Sequence, residues 1–369
     1  MTQRWAAVAA LAVTLSLFSG GCAKQTDLLN SLLIQPQTAD ELGYGIQWQT
    51  ALGLERGESL IYVESLGDRL VTLDTANVLT VFDAANGSRM WSEQLGKGNT
   101  ERFSKPLRRG NELIISSETR TYLYDLQFGD PLGAVPISFT SNTTPVIDGE
   151  QLIHGSPSGR VWSQDTEFGV YRWQYGGGSA ITNNPIKVGD VVLLTTAAGE
   201  VHAISAESGL SYWTAATYTQ ISGKPATDGR ILYVPSEDQS VYAYYITSGR
   251  QAWRHYNDDP IRGDLTLVGN ILLVEEPGSM VTALDPNNGD VIWENAELAS
   301  MQKVLLSNSK GVYIKMPYSI AIINPRTGRI IQSIETPAVH DVTVGSVVGG
   351  RPDLYLVRAN GRIMKLSAR

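Results

Sequence analysis

Few side chains in this 369-residue sequence could do chemistry, and their spacing decides whether any of them act together. Cys22 is the only cysteine, so an internal disulfide is excluded. The four histidines stand at 154, 202, 255 and 340, in separate segments and without the close Cys/His spacing of a zinc set. His154 and His202 are therefore expected in packing or solvent. The adjacent acids Asp258–Asp259 and Glu275–Glu276 could in principle serve acid–base catalysis or calcium, but both pairs fall in polar connections, where a solvated face is expected. No G-x-S-x-G, Walker-type or C-x-x-C motif occurs. No catalytic, metal or cofactor-binding residue is assigned, and the chain is expected not to be an enzyme.

Cys22 closes a segment of its own. Residues 1–22 carry Arg4, a 14-residue apolar run from Trp5 to Phe18, and small residues up to the cysteine. A spanning helix needs roughly 20 apolar residues, so an export signal over residues 1–21 fits better than a permanent anchor. The segment Ser19-Gly20-Gly21-Cys22 resembles a bacterial lipobox, with Ser19 where Leu is usual; this implies acylation of Cys22 and a lipid tether. An ordinary secretory cleavage site would instead leave the thiol free.

The charge balance narrows the partners. The net charge is −8, and −9 without residues 1–21, whose only charged side chain is Arg4; nucleic acid, which needs a basic face, is excluded as a partner. Thirty-six glycines suit a turn-rich all-β fold.

The elements that must position everything else come from a repeat. Gly87, Gly129, Gly169, Gly209, Gly249, Gly289 and Gly328 follow one another at 42, 40, 40, 40, 40 and 39 residues. Trp91, Trp173, Trp213, Trp253 and Trp293 each stand four residues after one of these glycines. Two further turn series run in phase, and together they cut each 40-residue unit into four short Val/Ile/Leu/Tyr-rich strands. This predicts an all-β, eight-bladed β-propeller over residues 44–369, with four-stranded antiparallel blades. Residues 49–332 supply seven units, and the tail after them ends one strand short. The missing strand is present in Gly43–Leu52, where Trp48 takes the tryptophan place, so the N-terminal strand is expected to join the C-terminal blade and close the ring. The glycine is expected in a turn that forbids a Cβ, with the indole laid across the gap between blades. Pro106, Pro145, Pro185 and Pro225 are expected at the start of innermost strands, with polar residues before them lining a central channel.

The frame A-x-D-x-x-x-G-x-x-x-W, complete in Ala283, Asp285, Gly289 and Trp293, resembles the tryptophan-docking repeat of pyrroloquinoline-quinone-type propellers. Within that group, the export signal with its lipobox-like cysteine, the length and the absence of an inserted domain are similar to the BamB-like outer-membrane assembly lipoproteins. That resemblance implies a non-enzymatic scaffold, lipid-anchored on the periplasmic side of the outer membrane, monomeric within a complex, and bound to the periplasmic domains of a barrel-assembly subunit. It implies no cofactor. Ala23 would match outer-membrane sorting. Quinoprotein dehydrogenases share the repeat, and a quinone- or small-ligand-binding propeller is the alternative; their vicinal cysteine pair has no counterpart here.

A partner is expected on the connections after Trp173 and Trp213, where Tyr175, Tyr218 and Gln220 offer an aromatic and polar surface. The family's contact loop carries Leu and Arg, whereas the counterpart at 174–184 carries a glycine run. Residues 22–43 form a linker in which Leu28, Leu29, Leu32 and Leu33 share a helical face; either that face docks on the propeller or a partner, or the segment is a flexible tether.

Overall fold

A computed structural model describes residues 32–96, 101–276, 278–348 and 351–369. Cys22, Leu28 and Leu29 lie outside the described residues. The strands form eight separate four-stranded antiparallel sheets, the predicted eight blades. Seven blades are built from consecutive strands, blade 1 beginning at Leu60 and blade 7 ending at Glu335. The eighth takes its three inner strands from 341–368 and its outermost from Tyr44–Ala51, which pairs antiparallel with Arg362–Ala368 from Tyr44↔Ala368 to Ala51↔Arg362. The chain ends thus complete the eighth blade and close the ring. Blade 1 and blade 8 meet through Leu60–Ser65 and Asp341–Val348, their innermost strands.

Burial follows position in the blade. The second and third strands are covered on both sides, as in Ile231–Ser236, where all six residues are buried, and they read as continuous apolar runs. Outermost strands face solvent on one side and alternate, as in Ser211–Ala216. Each core cluster joins two neighbouring blades: Ile153, Val161 and Trp173 of blade 3 pack on Val192, Leu194 and Ile204 of blade 4. Strands beginning at Leu107, Val146, Ile186 and Ala226 each follow immediately on one of the four predicted prolines, which have no N–H to contribute.

The glycine and tryptophan series explains how blades register. Gly209 has φ +70° in a turn whose Ser205 hydroxyl accepts the Ser208 amide; in the corresponding turns Asp83 and Asp165 cap two amides each. A Cβ built on Gly209 would lie 2.6 Å from the ring of Trp173, so only glycine fits both the backbone and the indole. Each tryptophan therefore lies on the glycine of the following blade. Its indole N–H donates to the carbonyl three residues before that glycine: Trp48 to Ala84 (3.1 Å), Trp91 to Leu126 (3.1 Å), Trp173 to Ala206 (2.9 Å), Trp213 to Ile246 (2.7 Å), Trp253 to Pro286 (3.0 Å) and Trp293 to Pro325 (2.9 Å). A buried indole N–H without a partner would cost about 1–3 kcal/mol, so the bond fixes the ring's orientation as well as its depth.

Two tryptophans are missing from the series, at Gly133 and Gln332. Gln332 precedes blade 8, where the two outer strands come from opposite chain ends and no docking turn exists. That junction is filled from the N-terminal side instead. A short helix, Pro36–Leu42, starts with Pro at its first position and ends at Gly43 in the left-handed region, φ +84°. Leu33, Ile34, Ala39 and Leu42 are buried among blade 7 and blade 8 residues that include Leu306, Ile334, Leu354 and Leu366. Leu33 of the expected leucine face docks on the propeller, but residues 32–34 form a bend rather than a helix, and the helix begins only at Pro36. No helix among the described residues is long and apolar enough to cross a membrane.

Candidate functional site

One face of the ring is built from the connections between blades and the turns joining second to third strands. These turns interlock, as Ile181 N–H donates to the Ser156 carbonyl and Glu237 N–H to the Gln220 carbonyl. The three expected partner residues all reach this face, but they do not form one cluster. Tyr175, near the end of the outermost strand of blade 3, is half-buried, and its hydroxyl meets His202 Nδ1 at 2.8 Å with the rings edge to face. With that hydroxyl donating, the ring proton sits on Nε2, 3.5 Å from a Glu200 carboxylate oxygen. Burial lowers the His202 pKa, Glu200 pulling the other way, so the ring is neutral at pH 7 and Tyr175 is held by it.

Tyr218 and Gln220 lean the other way, onto blade 5. Tyr218 is 79% exposed, and the Arg254 guanidinium lies 5.0 Å from its ring centre. The same guanidinium lies 4.8 Å from Tyr242 and 3.6 Å from the Asp238 carboxylate. Gln220 donates to Glu237 at 2.7 Å, and Glu237, also held by Ser222 and by Arg262 at 3.1 Å, has its pKa lowered chiefly by the Ser222 hydrogen bond. The result is a stacked, ion-paired surface with Tyr218 outermost and Tyr256, 63% exposed, on the same blade as Arg254. Such an arrangement presents aromatic area in a fixed pose, which keeps the entropic cost of binding low.

Arg254 and Tyr242 were not legible as site residues. Both stand inside ordinary strands, and only folding places one over the other; the alternation of Tyr242 with Tyr244, whose rings lie parallel, was the faint signal available.

At the channel mouth the residues before the prolines link blade to blade. Thr144 N–H donates to Asn184 Oδ1 at 2.9 Å and Lys224 N–H to Asp264 Oδ1 at 2.9 Å, while Lys105 pairs with Glu64, Lys224 with Asp264 and Lys303 with Asp341. Every lysine there meets a carboxylate of a neighbouring blade. Glu275 and Glu276 depart from the expected solvated pair: both are half-buried, and burial, with Asp264 nearby, pushes the Glu275 pKa up to about 7. Asp258 and Asp259 are exposed as expected. No group of three or more His, Cys, Asp or Glu able to hold a metal occurs among the described residues. His154 is fully buried against Trp162, with rings parallel at 5.3 Å, and neither of its nitrogens nor the Trp162 N–H has a hydrogen-bond partner.

The family described as outer membrane protein assembly factor BamB matches residues 45–175 and 176–369. Among solved structures, BamB from Moraxella catarrhalis is similar at 17% identity with a TM-score of 0.67, over 88% of this chain and 99% of that one. The computationally designed Ika8 protein is similar at 12% identity, also with a TM-score of 0.67, over 85% of this chain and 98% of that one. At these identities the structural likeness speaks for the fold. A comparison with curated proteins finds no match.

Proposed function

The chain belongs to the family of outer membrane protein assembly factor BamB, and from that membership we propose that it is a non-enzymatic scaffold assisting the assembly of outer-membrane β-barrel proteins. In this reading Cys22 carries the lipid that tethers the propeller to the periplasmic side of the outer membrane. The loop face receives a periplasmic domain of the barrel-assembly subunit. Tyr218, backed by Arg254, Tyr242 and Asp238, is the anchor we assign there, with Gln220 beside it and Tyr175 on the adjoining blade.

The observation that carries the reading is the span of the family match, which covers residues 45–369 and so the whole ring without an inserted domain. Side-chain chemistry is in keeping with it: the channel lysines are paired with carboxylates across the blades, and the most exposed large apolar side chain among the described residues is a tyrosine on the loop face. The test is isolation of the tagged protein from detergent-solubilised outer membranes. The barrel-assembly subunit should come with it in stoichiometric amount; recovery of the protein alone after mild crosslinking would refute the proposal.

A further inference from the structure

We propose that the junction between blades 2 and 3 is a vacant indole slot that receives an aromatic side chain, flanked by basic residues, from an extended segment of a protein partner. The inference goes beyond the scaffold reading and stands or falls without it.

The chemistry of the occupant is written in the molecule six times over. Each filled slot has a left-handed glycine as its ceiling, an indole against it, and a carbonyl three residues earlier that takes the indole N–H. The slot between blades 2 and 3 keeps the receiving half of this device. Gly169 has φ +69° in a turn capped by Asp165, and the Thr166 carbonyl, at the acceptor position, receives no hydrogen bond among the described residues. The donating half is missing, because Gly133 stands at the tryptophan position. A Cβ built there would meet only Leu123, at 3.7 Å, and Gly133 itself is exposed. The apolar cluster behind the slot is correspondingly small, with Ile114, Leu123, Val135 and Leu152 as its buried members.

The rim is built for a visitor. The residue before the ceiling glycine is Asn86, Ser208, Ser248, Asn288 or Thr327 elsewhere, but Phe128 and Phe168 in blades 2 and 3, exposed to 66% and 70%. Aromatic residues stand at this position on just these two turns, which flank the junction. Asp130 and Glu167 in the same two turns are exposed and form no ion pair among the described residues, which favours a partner with Lys or Arg beside its aromatic residue. The adjoining outermost strand, Pro131–Pro136, has proline at both ends, so the incoming segment is held by its side chain more than by a ladder of main-chain bonds.

The chain's own blade 5 strand provides a probe. A fluorescent peptide of sequence SGRQAWRHY, residues 248–256, has Trp253 between Arg250 and Arg254. It should bind the purified protein saturably in anisotropy titrations. The same peptide with Ala for its Trp should bind at least fivefold more weakly, as should the wild-type peptide to Gly133→Trp, in which the slot is filled from within. Phe168→Ser, which restores the residue type of the other turns, should weaken binding without altering the fold and guards against misfolding of Gly133→Trp. Equal affinity for the two peptides, equal affinity of wild type and both variants, or no saturable binding up to about 1 mM would overturn the proposal.

Discussion

Replacing Gly209 and Gly169 by alanine, one at a time, separates the cost of the glycine backbone from the cost of the docked indole. The two residues have nearly the same φ, +70° and +69°, in turns of the same kind, so a Cβ imposes the same left-handed strain of about 1–2 kcal/mol at each. Their surroundings differ. At 209 the new carbon would lie 2.6 Å from Cδ2 and Cε3 of Trp173, a distance no real contact allows, whereas at 169 it would meet only Val135, at 3.4 Å. Gly209→Ala must therefore push the indole out of its slot. That adds roughly 1–3 kcal/mol of packing strain and about 0.5–1.5 kcal/mol for the bond to the Ala206 carbonyl. The variants should thus differ by about 1.5–4.5 kcal/mol, Gly209→Ala being the less stable. Urea midpoints followed by tryptophan fluorescence are the assay; midpoints are preferred to extrapolated free energies because repeat arrays can depart from two-state unfolding. In a Trp173→Ala background the penalty at 209 should fall to that at 169, as a double-mutant cycle requires of a direct contact. Equal penalties at the two glycines, or a penalty at 209 that survives removal of the indole, would refute the docking argument.

Three further outcomes are expected. His154 is buried and neutral, its pKa pushed by desolvation to about 3, while the unfolded chain titrates near 6.5; the unfolded state therefore takes up the proton first, and stability is full above about pH 6.5, falls below it and levels off near pH 3. At about 1.4 kcal/mol per pH unit, His154→Leu should remove roughly 2 kcal/mol of the stability lost between pH 6.5 and 5, and an unchanged acid sensitivity in urea titrations would contradict this. Deletion of residues 44–51 strips the outermost strand of blade 8, and should lower Tm by several degrees and promote aggregation through the opened edge; unaltered thermal unfolding would mean that the pairing with 362–368 does not close the ring. Cys22→Ser should abolish palmitate labelling and release the protein from the membrane fraction or leave its signal uncleaved, and a wild type that takes up no label would leave the ordinary secretory reading.

What was legible in the sequence is what admits few substitutes. A left-handed turn pressed against an indole accepts only glycine, and only tryptophan combines that area with an N–H for the carbonyl beneath, so the pair recurs at a fixed period and exposes the blades. Closure was legible because the tail lacked one strand that Trp48 and its neighbours supplied. The less legible features join residues far apart in the chain with no period to mark them. Leu42 and Ile34 seal a junction with Leu354 and Leu366, and Arg254 lies between Tyr242 of its own blade and Tyr218 of the preceding connection. Glu275 looked solvated because a polar turn follows it, yet it ends an apolar strand and its surroundings half-bury it. The empty slot was visible only as a lost tryptophan at Gly133; its meaning needed the six filled ones for comparison.

The central claim, a scaffold that binds the assembly subunit through its loop face, is tested most directly by photo-crosslinking in living cells. A photoreactive residue placed at Tyr218 should yield a single major adduct containing the barrel-assembly subunit, and the same residue at Ser248, exposed on the opposite face, should not. Adducts with that subunit from 248 and none from 218 would contradict the assignment of the face, and adducts from neither position would contradict the scaffold itself.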